Sequence, residues 1–324
     1  MVNRKALVVG INDYPGCPLH CCCNDSEAIK DLLSNNENGD PNFQVWKKDN
    51  VQTKSELMGL IRECFSGDSD EALFYFSGHG YIDSIGGYLA TPDYKENDMG
   101  VSLTDVLAIA NQSKCKSRII ILDSCFSGYM GNISTDGQNT AVINEGVTIM
   151  TASRNDEPSI EDGDHGIFTS LLIEALEGGA ADITGHVSIG GVYAYIDKAL
   201  GPWDQRPVFK TNVTRFISLR EVIPQVEVKT IRKICEYFSS PTYEFQLDPS
   251  FEPTNSNDVP HTIIEPYAKE ENTKIFSDLQ KLEGIGLVVP VDEKHMYFAA
   301  MKSKSCKLTS MGKQYWKLVK DGKV

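Results

Sequence analysis

The chain has 324 residues, 41% hydrophobic and 23% charged, a composition that predicts a globular protein of two domains and excludes a disordered chain. With 31 basic residues against 45 acidic ones its net charge is −14, which opposes a role in coating nucleic acid or anionic membranes. The charge is uneven: residues 301–324 hold seven lysines and one acid, Asp321, so this tail is +6 and the other 300 residues carry −20.

Along the chain, strand-like and helix-like segments alternate. Residues 5–10 form a short apolar run ending in Gly10, the pattern of a buried strand. Asn24 or Asp25 is placed to cap a helix over 26–34, with Ile29, Leu32 and Leu33 on one side. A strand over 43–46 and a helix over 53–65 follow. Residues 72–76 form a third strand, which ends at Ser77-Gly78-His79-Gly80. After a helix over 103–111 comes the most apolar strand, 118–122, which ends at Asp123-Ser124-Cys125. A strand over 147–152, a helix over 166–176 stopped by Gly178-Gly179, a helix over 189–200 and a strand from Val208 complete the series. Such alternation predicts an α/β domain over 1–222, a mostly parallel sheet with helices on both faces.

A second domain is expected over 223–324. It opens with a short helix over 231–238 and a linker over about 239–262, rich in Pro, Ser, Asn and Asp. A helix over 273–283 carries Ile275, Phe276, Leu279 and Leu282 in one stripe. Two strands, 287–291 and 296–300, then flank a turn, and Leu308-Thr309-Ser310 caps a last helix over 311–319 whose apolar side is Met311, Tyr315, Leu318 and Val319. Helix, hairpin and capped helix resemble a small α+β winged-helix module.

The apolar run at the N-terminus is too short for a signal-peptide core, and no run approaches the ~20 residues of a membrane helix. Nine cysteines, an odd number, fit a reducing cytoplasm with free thiols. Cys17, His20, Cys21, Cys22 and Cys23 lie close together, but zinc ligands are spaced as C-x₂₋₄-C with a second pair elsewhere. Packed or pocket-lining thiols are the alternative, and no metal site is assigned.

Ligands of open parallel sheets bind beyond the carboxyl ends of the strands. His79 and Cys125 follow two such ends, 46 residues apart, one crossover, so neighbouring strands bring them to one edge. A thiol becomes a nucleophile as its thiolate, and an imidazole beside it takes its proton and later protonates the leaving amine. The backbone N–H groups of Gly80 and Cys125 are the candidate oxyanion donors. Each residue alone reads better as core; together, in this order and spacing, they match a Cys-His acyl-transfer site.

Ser77-Gly78-His79-Gly80 and Asp123-Ser124-Cys125-Phe126-Ser127-Gly128 resemble the two signature motifs of caspase-like peptidases of the metacaspase type. Gly10-Ile11-Asn12-Asp13-Tyr14, Asn24-Asp25 and His165-Gly166-Ile167-Phe168-Thr169 resemble further motifs of that group, so the likeness spans about residues 4–212. It departs at Phe126, where eukaryotic metacaspases carry His. The resemblance implies a cysteine endopeptidase with a Cys125–His79 dyad and a thioacyl intermediate. It also implies that Asp25, Ser77, Asp123 and Cys22 line an acidic pocket for Arg or Lys; Glu161, in a segment where caspases that cut after Asp carry arginine, adds to that charge. Asp25 as a helix cap and Asp123 as a carboxylate held by backbone N–H groups are the alternative roles.

Metacaspases often require calcium, but Asp93, Asp98 and Asp136 form no recognisable calcium set, so no cofactor is assigned. The expected partners are protein or peptide substrates with Arg or Lys before the scissile bond. Bacterial caspase-like proteins resemble this architecture when they carry sensor domains in antiphage or stress systems. The resemblance implies an anionic nucleotide signal or an activator protein at the C-terminal domain. Its lysines are otherwise a solvated helix face, a surface that docks on the acidic body, or a DNA contact that this body opposes. The competing readings are a winged-helix regulator with an inactive caspase-like domain, and a separase-like or legumain-like protease of other specificity.

Overall fold

A computed structural model describes residues 3–82, 86–95, 98–124, 142–152, 161–162 (backbone), 164–200, 207–254, 259–262, 264 and 268–324. The chain divides into two compact units, Met1–Ile223 and Pro224–Val324. No helix among the described residues is long and apolar enough to cross a membrane.

The first unit is built as β1 (Arg4–Gly10), α1 (Cys22–Ser34), β2 (Gln44–Asp49), α2 (Lys54–Cys64), β3 (Glu71–Ser77), β4 (Gly80–Ile82), β5 (Gly87–Lys95), β6 (Asp98–Ser102), α3 (Leu103–Gln112), β7 (Ser117–Asp123), β8 (Val147–Thr151), β9 (Glu161–Asp162), β10 (His165–Gly166), α4 (Ile167–Glu174), β11 (His186–Ser188), α5 (Ile189–Leu200), β12 (Val208–Asn212) and β13 (Ser218–Glu221). Its main sheet has the order β12-β8-β7-β3-β1-β2. All neighbours are parallel except β12, which runs antiparallel to β8. The expected α/β architecture is present, with both sheet faces covered.

Period-two alternation divides the strand residues between two cores. Leu7, Val9, Phe74, Phe76, Ile120 and Leu122 pack with Leu57 and Ile61 of α2 and Val106 and Ala110 of α3. Ala6, Val8, Leu73, Tyr75, Ile119 and Ile121 pack with Ile29 and Leu33 of α1, Leu172 of α4 and Ile196 of α5. Each fully buried Leu or Ile contributes roughly 1.5–3 kcal/mol, so this sheet is a rigid platform for what lies at its edge.

Two local readings are corrected. Helix α1 starts at Cys22, its N-cap residue is Cys21, and no side chain caps it. Asn24 and Asp25 lie inside the first turn. Packing sets the start: a Cβ on Gly10 would lie 2.2 Å from the Cys22 carbonyl oxygen, so only glycine at the end of β1 lets α1 begin there. The antiparallel meander β4-β5-β6 between β3 and α3 was not foreseen, because its strands lack a long apolar run.

The second unit contains α6 (Val228–Arg232), α7 (Ile234–Tyr237), β14 (Glu244–Gln246), α8 (Glu270–Gly284), β15 (Val288–Pro290), α9 (Met296–Met301), β16 (Ser305–Leu308) and α10 (Ser310–Lys320). Its strands form the antiparallel sheet β14-β16-β15. The stretch 239–262 is not simply a linker: it supplies β14 and a 3-10 turn, Pro249–Phe251, and buries Leu247 and Phe251. Residues 296–300 are helical, with Met296, Ala299 and Ala300 buried at helical spacing, so β15 pairs with β16 and not with them. The expected order of helix, hairpin and capped helix is therefore not the order found. Thr309 does cap α10, accepting from the Gly312 N–H at 3.0 Å. Met311 is exposed, and the buried side of α10 is Gly312 and Trp316, whose indole N–H donates to the Phe238 carbonyl at 2.7 Å.

Candidate active site

The strand register places Gly10 beside Ser77 and Ser77 beside Asp123, so β1, β3 and β7 end level with one another. The Gly78 N–H continues the pairing, donating to the Asp123 carbonyl at 3.2 Å. His79 follows Gly78 at this edge, and Ser124, the residue after Asp123, is buried. Cys125 lies outside the described residues, as do 126–141.

His79 is held by the loop after β1. Its Nε2 is 2.8 Å from the Cys17 carbonyl oxygen. A carbonyl only accepts, so Nε2 carries the hydrogen, and the neutral ring presents Nδ1 as its basic atom. The His79 N–H donates to the Tyr14 phenol oxygen at 3.1 Å, and Tyr14 donates to the Ala90 carbonyl at 3.2 Å. The Tyr14 ring meets the imidazole edge-on at 4.6 Å. Gly78 makes this contact possible, since a Cβ there would lie 2.6 Å from the Tyr14 oxygen. Burial pushes the Tyr14 hydroxyl far above the usual phenol range, so it remains a donor. Gly80 opens β4 directly after His79 and pairs with Leu89.

Residue type gave no sign of the Cys17 role, which belongs to its main chain. Tyr14 closes the Gly10–Tyr14 motif, but nothing in that motif marks its hydroxyl as a partner of His79. Tyr14→Phe keeps the ring and loses both hydroxyl contacts; it is expected to lower kcat by about tenfold with KM little changed. An unchanged kcat in steady-state peptide hydrolysis would deny Tyr14 this positioning role.

The second part of the edge is acidic. Tyr75, Ser77 and Asp123 share the sheet face covered by α1 and α4, as alternation along β3 and β7 dictates. Asp25, 1% exposed, reaches in from α1 and accepts from the Ser77 hydroxyl and from His165 Nδ1, both at 2.8 Å. Burial raises its pKa, while Ser77, His165 and the Gly166 N–H pull it back down. Asp123, 6% exposed, accepts from the Thr169 hydroxyl at 2.6 Å. Gly166 sits against the second acid as well: a Cβ on it would lie 2.8 Å from Asp123 Oδ2. The edge thus gathers Asp25, Ser77 and Asp123, and adds His165, Gly166 and Thr169.

Cys22 is buried at the first residue of α1, one turn before Asp25. Glu161 pairs through its backbone with Gly166, and its side chain lies outside the described residues. In the cysteine cluster Cys17 is exposed, Cys21 and Cys22 are buried, and Cys23 is half-buried with its thiol pKa raised mainly by burial. Among the described residues no three His, Cys, Asp or Glu side chains converge as metal ligands. Asp93 accepts from the Lys54 N–H and the Thr91 hydroxyl, and Asp98 pairs with Lys54 at 2.7 Å. Asp136 lies outside the described residues. Two open hollows of about 810 and 720 Å³ are lined by Glu71 and Arg215, the larger also by Lys116, Ser117 and Gly146. They lie at the opposite, N-terminal ends of the strands, away from His79 and the acids.

Residues 3–218 match the family model described as Caspase domain, peptidase family C14. Caspase-1 from Spodoptera frugiperda is a similar solved structure, at 14% identity and a TM-score of 0.49, covering 68% of this chain and 91% of that one. None of the curated proteins matches.

Proposed function

Because the chain belongs to the caspase-domain family of cysteine peptidases, we propose that it is an endopeptidase that cleaves after arginine or lysine with Cys125 as nucleophile and His79 as base. His79 Nδ1 takes the thiol proton, and the thiolate attacks the scissile carbonyl to form a tetrahedral intermediate. Backbone N–H groups of Gly80 and Cys125 hold the oxyanion. The imidazolium then protonates the leaving amine, and water resolves the thioacyl enzyme.

The observation that carries the specificity is that two buried acids share one sheet edge: Asp25 bonds Ser77, and Ser77 lies beside Asp123 in the strand register. Two buried carboxylates at one sheet edge favour a guanidinium or ammonium there, whereas an aspartate side chain would add a third negative charge. Fluorogenic peptides ending in Arg or Lys are expected to be cleaved, and Asp peptides not. Turnover of Asp peptides alone, or of all three equally, would overturn the acidic pocket.

Residues 126–148 contain no Lys or Arg. The same specificity therefore predicts a chain left intact in this segment. A mass spectrum of active enzyme with a cut between residues 128 and 146 would contradict it.

The unit from Pro224 is assigned a gating role in a bacterial antiphage or stress pathway, where it responds to an anionic nucleotide or an activator protein. Its exposed Lys304, Lys307, Lys313, Lys317 and Lys320 support an anionic ligand.

A further inference from the structure

We propose that Thr169, backed by Tyr75, sets the preference of the pocket for arginine over lysine by fixing the plane of the Asp123 carboxylate. This rests on the acidic-pocket reading above and adds to it a pair of positioning residues that never touch the substrate.

Tyr75 and Thr169 are wholly buried, and their hydroxyl oxygens are 2.6 Å apart. Thr169 has one hydroxyl hydrogen, and it goes to Asp123 Oδ2 at 2.6 Å. Tyr75 must therefore be the donor to Thr169, so the chain runs one way, from phenol to hydroxyl to carboxylate. Burial and the two nearby aspartates keep the Tyr75 proton in place. Bonds to an ionised acceptor are the strong ones, and each member of such a chain polarises the next. A Cβ on Gly166 would lie 2.8 Å from the same oxygen, so no side chain fits there. Oδ2 is thus held from the α4 side by the Thr169 hydroxyl, which resists rotation of the carboxylate about its last bond.

A fixed plane matters differently to the two basic side chains. A guanidinium binds a carboxylate best as a flat fork, with two parallel N–H···O bonds in one plane. An ammonium is a point charge with rotatable donors and tolerates a carboxylate that turns. Freeing Asp123 should therefore penalise arginine more than lysine.

The test is steady-state hydrolysis of matched peptides ending in Arg or Lys by the full chain and its variants Thr169→Val, Thr169→Ser, Tyr75→Phe and Asp123→Asn. Thr169→Val should raise KM for the Arg peptide about tenfold and for the Lys peptide no more than about threefold, with kcat little changed. Thr169→Ser, which restores the hydroxyl, should restore the wild-type ratio. Tyr75→Phe should move the ratio in the same direction by a smaller factor. Equal losses on both peptides, a loss in kcat alone, or no rescue by serine would overturn the proposal. Should Thr169→Val fail to fold, Tyr75→Phe decides, and an unchanged Arg-to-Lys ratio rejects it. If Asp123→Asn leaves both peptides unaffected, the pocket reading itself falls; if it impairs both while Thr169→Val does nothing, only the present inference falls.

Discussion

Cys125→Ala is expected to reduce hydrolysis of Arg and Lys peptides to background, and His79→Ala to lower kcat by about 10³-fold. The first removes the proposed nucleophile, and alanine has no group that can attack a carbonyl. The second removes the proton acceptor and, later in the cycle, the acid, a role worth about 10²–10⁴-fold. His79 is suited to that role because its Nε2 is committed to the Cys17 carbonyl, which leaves Nδ1 as the base. The two changes act on one proton transfer, so the double variant should be no slower than Cys125→Ala alone. Circular dichroism would show both variants folded. Wild-type activity in Cys125→Ala, or additive losses in the double variant, would place the chemistry elsewhere.

If the proposed acidic pocket holds the substrate cation, Asp25→Asn and Asp123→Asn, each removing one of its two charges, are expected to lower kcat/KM for basic peptides by about 10²-fold, chiefly through KM. The pH dependence follows from Asp25. Burial raises its pKa above the ordinary 3.8. Binding of a cation requires the carboxylate, so kcat/KM should climb as pH rises through a value above 3.8, and Asp25→Asn should flatten that limb. Stability runs the other way. Between 3.8 and the raised value the folded state holds the proton more tightly than the unfolded chain, so stability falls as pH rises through that window and is level above it. Asp25→Asn should therefore leave Tm at neutral pH unchanged or higher while activity drops. A falling Tm with unchanged KM would recast Asp25 as a structural residue.

The sheet, its two cores and the edge that carries His79 could be read from the sequence, because buried parallel strands announce themselves as short apolar runs with reactive residues at their ends. Alternation along one strand puts Asp123 on the face of Cys125, but its place beside Ser77 comes from the β3–β7 register. Other parts were illegible for identifiable reasons. Thr169 and Tyr75 look like ordinary core residues until β3, β7 and α4 are packed together. Asp25 stands where a helix cap is expected, and its inward role shows only when α1 is packed so that it meets Ser77 of β3. Residues 296–300 are apolar but too short for periodicity to separate strand from helix, and tertiary packing made them helical. The role of Cys17 is carried by an atom that every amino acid possesses.

That last contact has a consequence for how the enzyme can be broken. A side-chain partner of the base can be deleted by a single substitution; a main-chain partner cannot. Position 17 should accept Ser, Ala or an alkylated thiol with little loss, since its exposed side chain takes no part in orienting His79. The vulnerable feature is the course of the chain between Tyr14 and His20. A one-residue deletion there displaces the carbonyl and frees the imidazole to flip, disabling the base without altering any residue that takes part in the chemistry.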